Sequence, residues 1–141
     1  MIGKKRKRKT AGRILVVDDE PDIASLLKMA LEYDGSFNSV QTFDDPLQAL
    51  SNFKAGLYDL VILDITMPKV NGFDLYQEMT KIDSKVKFCF LTGSGPYRDE
   101  LNDELHYSVN EDMFIRKPIS IRDLLIEIRK RLDEIQQVYN R

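Results

Sequence analysis

The chain has 141 residues, 43% of them hydrophobic, and a formal net charge of −2. That length suits one domain with a real core, and the composition is that of an ordinary globular protein. No apolar run approaches the roughly 18 residues needed to span a bilayer, and the single cysteine excludes an internal disulfide, which fits a reducing cytoplasm.

The chain opens on a basic stretch. Residues 4–9 are all Lys or Arg and hold six of the 21 basic residues, leaving 15 against 23 acids in the remainder. An acidic body therefore carries a short cationic arm, residues 1–12, which lacks apolar periodicity and is expected to be disordered. It is no secretion signal, because only Ile14 to Val17 are continuously apolar before Asp18 intervenes. From Arg13 onward, strand-like and helix-like patterns alternate, to about residue 139. Arg13–Val17 reads as a buried strand, and Pro21 suits the first turn of a helix carrying Ile23, Leu26, Leu27, Ala30 and Leu31. Asn38–Phe43 reads as a weaker strand. Asp44 or Asp45 caps a helix from Pro46 with Leu47, Leu50 and Phe53, which Gly56 ends. Asp59–Leu63 is apolar enough for a central parallel strand.

After Asp64 comes the loop Ile65–Gly72, then a helix with Phe73, Leu75, Tyr76 and Met79. Val86–Leu91 is the fourth strand. Cys89 lies inside it, which points to packing rather than catalysis. Thr92-Gly93-Ser94-Gly95-Pro96 is rich in breakers, and the polar segment Tyr97–Asn110 reads as a short helix. His106 falls there and reads as a surface residue, since no four-helix bundle surrounds it. Met113–Arg116 is the fifth strand. The last helix starts near Ser120, runs to about Tyr139, and turns inward Ile121, Leu124, Leu125, Ile128, Leu132 and Ile135. Beyond Leu132 it is expected to overrun the sheet and leave Ile135 and Val138 for a partner.

Five β/α alternations imply an α/β fold, a doubly wound parallel sheet with helices on both faces, whose ligands bind beyond the carboxyl ends of the strands. Asp18 and Asp19, Asp64, Thr92 and Lys117 all stand at such ends. Each has an ordinary reading alone, as a cap, a turn hydroxyl or a solvated lysine. Their coincidence at four matching strand ends does not. Crowded carboxylates resist joint ionisation unless a cation sits among them. An all-oxygen site with few protein ligands matches Mg²⁺, and a carboxylate beside Mg²⁺ can attack phosphorus and form an aspartyl phosphate. Lys117 supplies an ammonium, and Thr92 a hydroxyl, for the charge on the transferred oxygens.

The runs Val-Val-Asp18-Asp19-Glu, Leu-Asp64-Ile-Thr-Met-Pro68-Lys-Val-Asn-Gly72, Leu-Thr92-Gly and Phe114-Ile-Arg-Lys117-Pro118, in this order and spacing, resemble the receiver domain of two-component response regulators over roughly residues 13–135. The resemblance is to the stand-alone, chemotaxis-regulator-like kind. It implies a flavodoxin-like (βα)5 sheet of strand order 2-1-3-4-5, with Asp64 as phosphoacceptor. Mg²⁺ is then held by Asp19, Asp64 and the backbone carbonyl of Thr66, with Asp18 acting mainly through water. Lys117 pairs with the phosphoryl group, Thr92 and Phe114 switch together, and the Lys117–Pro118 bond is cis. It further implies a sensor histidine kinase or phosphotransfer protein as donor and a monomer or weak dimer. A downstream protein would read the face of the fourth helix, fifth strand and last helix. Such a domain is no conventional enzyme, since it catalyses only its own phosphorylation and dephosphorylation.

The sequence departs from the family in two places. Gly93 replaces a common alanine, and Ser108–Asp112 replaces the usual Gly-Ala before the fifth strand, so the likeness is weakest at the fourth helix and its signalling surface. Two other functions would use parts of the same sequence. A small Asp-nucleophile phosphatase carries a second Asp two residues after the nucleophile, where this chain has Thr66, and no cap domain is present to shield a substrate. A nucleic-acid module would use Lys4–Lys9 for weak, salt-dependent contact. No aromatic residue interleaves the run and no helix-turn-helix pattern follows, which favours an unspecific or solubilising tail.

Overall fold

The computed structural model describes residues 12–35, 37–67, 69–92, 111–116 and 120–139. Five strands, β1 (Arg13–Val17), β2 (Ser39–Phe43), β3 (Leu60–Asp64), β4 (Lys87–Thr92) and β5 (Phe114–Arg116), form one parallel sheet in the order β2-β1-β3-β4-β5. This is the expected order. All the strands point the same way, so their carboxyl ends share one edge.

The side-chain period of two builds two cores from the same strands. Leu15, Val17, Val61, Leu63, Phe88 and Phe90 face one side, where helices α2 (Pro46–Ser51) and α3 (Gly72–Ile82) pack. Ile14, Val16, Leu60, Ile62, Cys89 and Leu91 face the other, against α1 (Pro21–Asp34) and the C-terminal helix (Ile121–Tyr139). Burial pushes the Cys89 thiol up to about 12, so it stays protonated at neutral pH and serves as packing.

Local chemistry sets the helix ends. Pro21 opens α1, and Gly35 closes it at φ 76°, donating its N–H to the Glu32 carbonyl. Asp45, of the two candidates, caps α2. Asn71 caps α3 through Asp74 N at 2.9 Å, and Ser120 Oγ caps the C-terminal helix through Asp123 N at 3.1 Å. At the amino edge of the sheet the buried Asp59 carboxylate accepts Arg13 N, Nε and Nη2 at 2.9, 3.0 and 2.9 Å, tying β1 to the entry of β3.

Strands β2, β3 and β4 each begin one residue later than expected, and further expectations shift. α2 stops at Ser51, and Phe53, whose spacing suggested helix, is buried in the turn that follows. Gly56 lies beyond that helix at φ 81°, a conformation open to glycine at little cost. Glu111–Met113 forms a short 3₁₀ turn, so β5 begins at Phe114 rather than Met113. Leu26 lies on the outside of α1, 47% exposed, in line with Met29 and Tyr33, because i, i+3 and i+7 share a face. Ile135 packs against the second core, so the expected overrun beyond Leu132 does not free it. Val138 has no described side chain, and residues 1–11, with the Lys4–Lys9 run, and the expected helix Tyr97–Asn110 with His106 lie outside the described residues.

Candidate functional site

Parallel register brings the acids together. β1 ends at Val17, paired with Leu63 of β3, so Asp18 and Asp64 are the next residues on adjacent strands. The backbone holds both: Asp18 N donates to the Phe43 carbonyl at 3.2 Å, and Ile65 N to the Leu91 carbonyl at 3.1 Å. Asp18 is fully buried, Asp64 is 5% exposed and Asp19 is partly buried. One carboxylate oxygen from each of the three lies within 4.8 Å of the others.

At that spacing two full charges repel by roughly 3 kcal/mol in the effective dielectric of a protein. Part of the relief comes from backbone N–H groups. Glu20 N donates to Asp18 Oδ1 at 3.0 Å, and Thr66 N to Asp64 Oδ1 at 3.3 Å. Three close carboxylates, oxygen donors only, suit a hard divalent cation, and a cation there turns mutual repulsion into attraction. The residues present therefore fit a metal of that class.

Thr92 ends β4, 6% exposed, with Arg116 as its partner on β5. The Phe114 ring turns inward, with its centroid 5.3 Å from Phe90 and 6.1 Å from Phe73. Thr66 is exposed two residues past Asp64. Lys117 and Pro118, with the expected cis bond, and Pro68 and Gly93 lie outside the described residues. The acids Asp18, Asp19 and Asp64 are thus brought together, and Thr92 ends a strand at the same edge.

Gly72 has a role that its place in the motif did not disclose. Its N–H donates to the Ile65 carbonyl at 2.8 Å, closing the loop after Asp64. A Cβ at this position would stand 2.6 Å from the Asp64 carbonyl oxygen and 2.9 Å from Ile65 Cα. Both neighbours are backbone, so relief requires moving the acid itself. The residue type at the start of a helix, where glycine is a poor helix former, was the available signal. Gly72→Ala is expected to cost about 1–3 kcal/mol by overpacking and to weaken divalent-cation binding in the same variant, read by denaturant unfolding and by calorimetry. Unchanged cation affinity would show that the loop absorbs the methyl group without moving Asp64.

The family model described as response regulator receiver domain matches residues 14–129. The response regulator SaeR of Staphylococcus aureus is 30% identical over 127 residues, which is 90% of this chain and 53% of SaeR. The chain thus spans about half the length of the curated relatives it matches. Among solved structures, a response regulator receiver domain protein from Clostridium thermocellum is 31% identical with a TM-score of 0.71, covering 90% of this chain and 98% of that one. A CheY-like receiver domain protein from Methanospirillum hungatei is 28% identical with a TM-score of 0.76 over the same shares. The response regulator TrrA of Thermotoga maritima, solved in complex with Mg²⁺ and BeF, is 36% identical with a TM-score of 0.68, covering 84% of this chain and 97% of TrrA.

Proposed function

Because this chain belongs to the response regulator receiver domain family of two-component signalling, we propose that it is a phosphorylation switch in which Asp64 accepts a phosphoryl group with Mg²⁺ bound beside it. The observation that carries this reading is the convergence of Asp18, Asp19 and Asp64 within 4.8 Å at the carboxyl edge of the sheet. The switching unit spans residues 13–139, with the basic arm ahead of it.

In this reading Asp19, Asp64 and the Thr66 carbonyl would hold Mg²⁺, with Asp18 acting on it through water. Bound Mg²⁺ supplies positive charge that offsets the acids and meets the oxygens of the incoming phosphoryl group. An Asp64 oxygen attacks phosphorus in line. The bond from phosphorus to the donor, a phosphohistidine nitrogen of a sensor kinase or phosphotransfer protein, breaks, and its electron pair stays on that nitrogen. Lys117 balances the new charge. Hydrolysis at the same centre returns the carboxylate, so the domain catalyses only its own modification. The apolar strip Leu26, Met29 and Tyr33 lies on the helix that begins beside the acids, available to a protein donor.

Phosphorylation adds about −1.5 to −2 charge and new acceptor oxygens at Asp64. Thr92 is drawn toward them, and Phe114 repacks into the space left. The equilibrium shifts by as much as the phosphoryl group's contacts differ between the two states. The changed face, from the segment after Thr92 across β5 to the C-terminal helix, is what a downstream protein reads.

Intact-mass measurement after incubation with acetyl phosphate, with and without Mg²⁺, tests the function. One phosphoryl increment is expected, and only with the metal. The metal has an independent readout: Mg²⁺ at about 100 times its dissociation constant is expected to stabilise the fold by about 2.7 kcal/mol. Chelation, or Asp19→Asn, is expected to remove that increment. A Mg²⁺-independent thermal midpoint in the wild type would overturn the metal assignment.

A further inference from the structure

The loop between Asp64 and α3 is anchored at its base by backbone and core. Gly72 N bonds to the Ile65 carbonyl, Ile65 and Met67 are buried, and Val70 packs on the first core. Near its middle, Lys69 reaches across to another element. Its Nζ lies 3.6 Å from Asp45 Oδ2, with the lysine 61% exposed and the aspartate 31% exposed. Asp45 stands just beyond the end of β2, at the same edge as Asp18 and Asp64. Its other oxygen, Oδ1, accepts Leu47 N at 2.9 Å as the cap of α2. One carboxylate thus fixes a helix start with one oxygen and faces the lysine of the acid loop with the other.

We infer that the Lys69–Asp45 pair is a positioning latch, which holds the loop following Asp64 in the conformation that binds the divalent cation. Neither residue is among those proposed to hold the metal or the phosphoryl group. The latch rests on the Mg²⁺ reading above and adds a residue pair that sets its affinity. An exposed ion pair contributes little to global stability, and α2 is capped whether or not the lysine is present. The effect therefore falls on the loop and on cation affinity, while the fold stays as stable as before.

Two explanations of any effect differ in sign. If the residues act only as charges near the site, Lys69→Met removes a cation and tightens Mg²⁺ binding, whereas Asp45→Asn removes an anion and weakens it. If they act as a latch, both variants weaken binding, and the double variant is no worse than either single one. Asn still caps a helix, so Asp45→Asn leaves α2 intact.

The test is Mg²⁺ titration by calorimetry on the full chain, as wild type, Lys69→Met, Asp45→Asn and the double variant, with thermal midpoints in metal-free buffer alongside. The dissociation constant is expected to rise about two- to fivefold in each single variant, the range a surface pair supports. Lys69→Arg is expected to restore it, and the metal-free midpoints to stay together. Tighter or unchanged binding by Lys69→Met, or additive losses in the double variant, overturns the latch. Absence of Mg²⁺ binding by the wild type fails the metal reading instead.

Discussion

Asp64→Asn is expected to abolish incorporation of phosphoryl from acetyl phosphate while leaving a folded protein. Asparagine keeps the size of the side chain and an oxygen that can accept Thr66 N, the bond seen at 3.3 Å. It loses the anionic oxygen that would attack phosphorus in the proposed reaction, and a neutral amide is no substitute as nucleophile. The loss is therefore one of chemistry rather than of shape, and the labelled fraction falls to background.

The same substitution has a second, opposite consequence. It removes one of three carboxylates that crowd within 4.8 Å. In metal-free buffer that relieves repulsion, so the midpoint of thermal unfolding is expected to rise in Asp64→Asn relative to wild type. With Mg²⁺ present the order reverses, because the variant offers the cation two acids instead of three. Intact mass reads the first effect and paired thermal scans read the second. Stoichiometric labelling that survives in Asp64→Asn would move the acceptor elsewhere. A midpoint lowered equally with and without metal would mean that the side chain is structural.

Much of this site was legible from strand ends alone. Apolar runs that stop at an acid or hydroxyl carry both pieces of information, the strand and the edge. Parallel pairing then converts sequence position into proximity, as in the register of Val17 with Leu63 that brings Asp18 beside Asp64. The central strands read clearly because both of their faces are buried. Extents of short elements read poorly. Phe53 has helical spacing from Leu50, yet it fills the first core from a turn. Leu26 has the same apolar character as Leu27, and only the angle of α1 on the sheet decides that Leu27 is buried and Leu26 is not. The tight approach of Gly72 to the Asp64 backbone and the reach of Lys69 to Asp45 depend on distances between segments, which no local pattern encodes. Segment 93–110, where the sequence departs from the family pattern, lies outside the described residues together with Lys117.

Phe90→Ala is expected to cost about 3–5 kcal/mol, the range for deleting a buried phenyl ring. Phe90 is fully buried in the middle of β4. Its centroid lies 5.1 Å from Phe73, 5.4 Å from Tyr76 and 5.3 Å from Phe114, with Tyr76 in turn 4.8 Å from Phe88. Edge-on and tilted contacts of this kind add to the area term. Backbone on both sides of the ring belongs to paired strands, which limits collapse into the space left. Native stability totals only about 5–15 kcal/mol, so the variant sits near the threshold of folding, with a thermal midpoint lowered by roughly 10 °C. The consequence for switching follows from which ring remains. Phe114 is only half-buried and loses the nearer of its two ring contacts among the described residues, so its inward position is disfavoured and it moves more freely. Below its midpoint the variant is expected to accept phosphoryl as the wild type does, since the acids are held by backbone rather than by Phe90. In the proposed switch, amide and aromatic resonances of Phe114 would then change little on phosphorylation, because the packing change proposed to couple it to Thr92 would be absent. A loss under 1 kcal/mol, or a Phe114 response to phosphorylation equal to that of the wild type, would show that this ring does not support the switch proposed for Phe114.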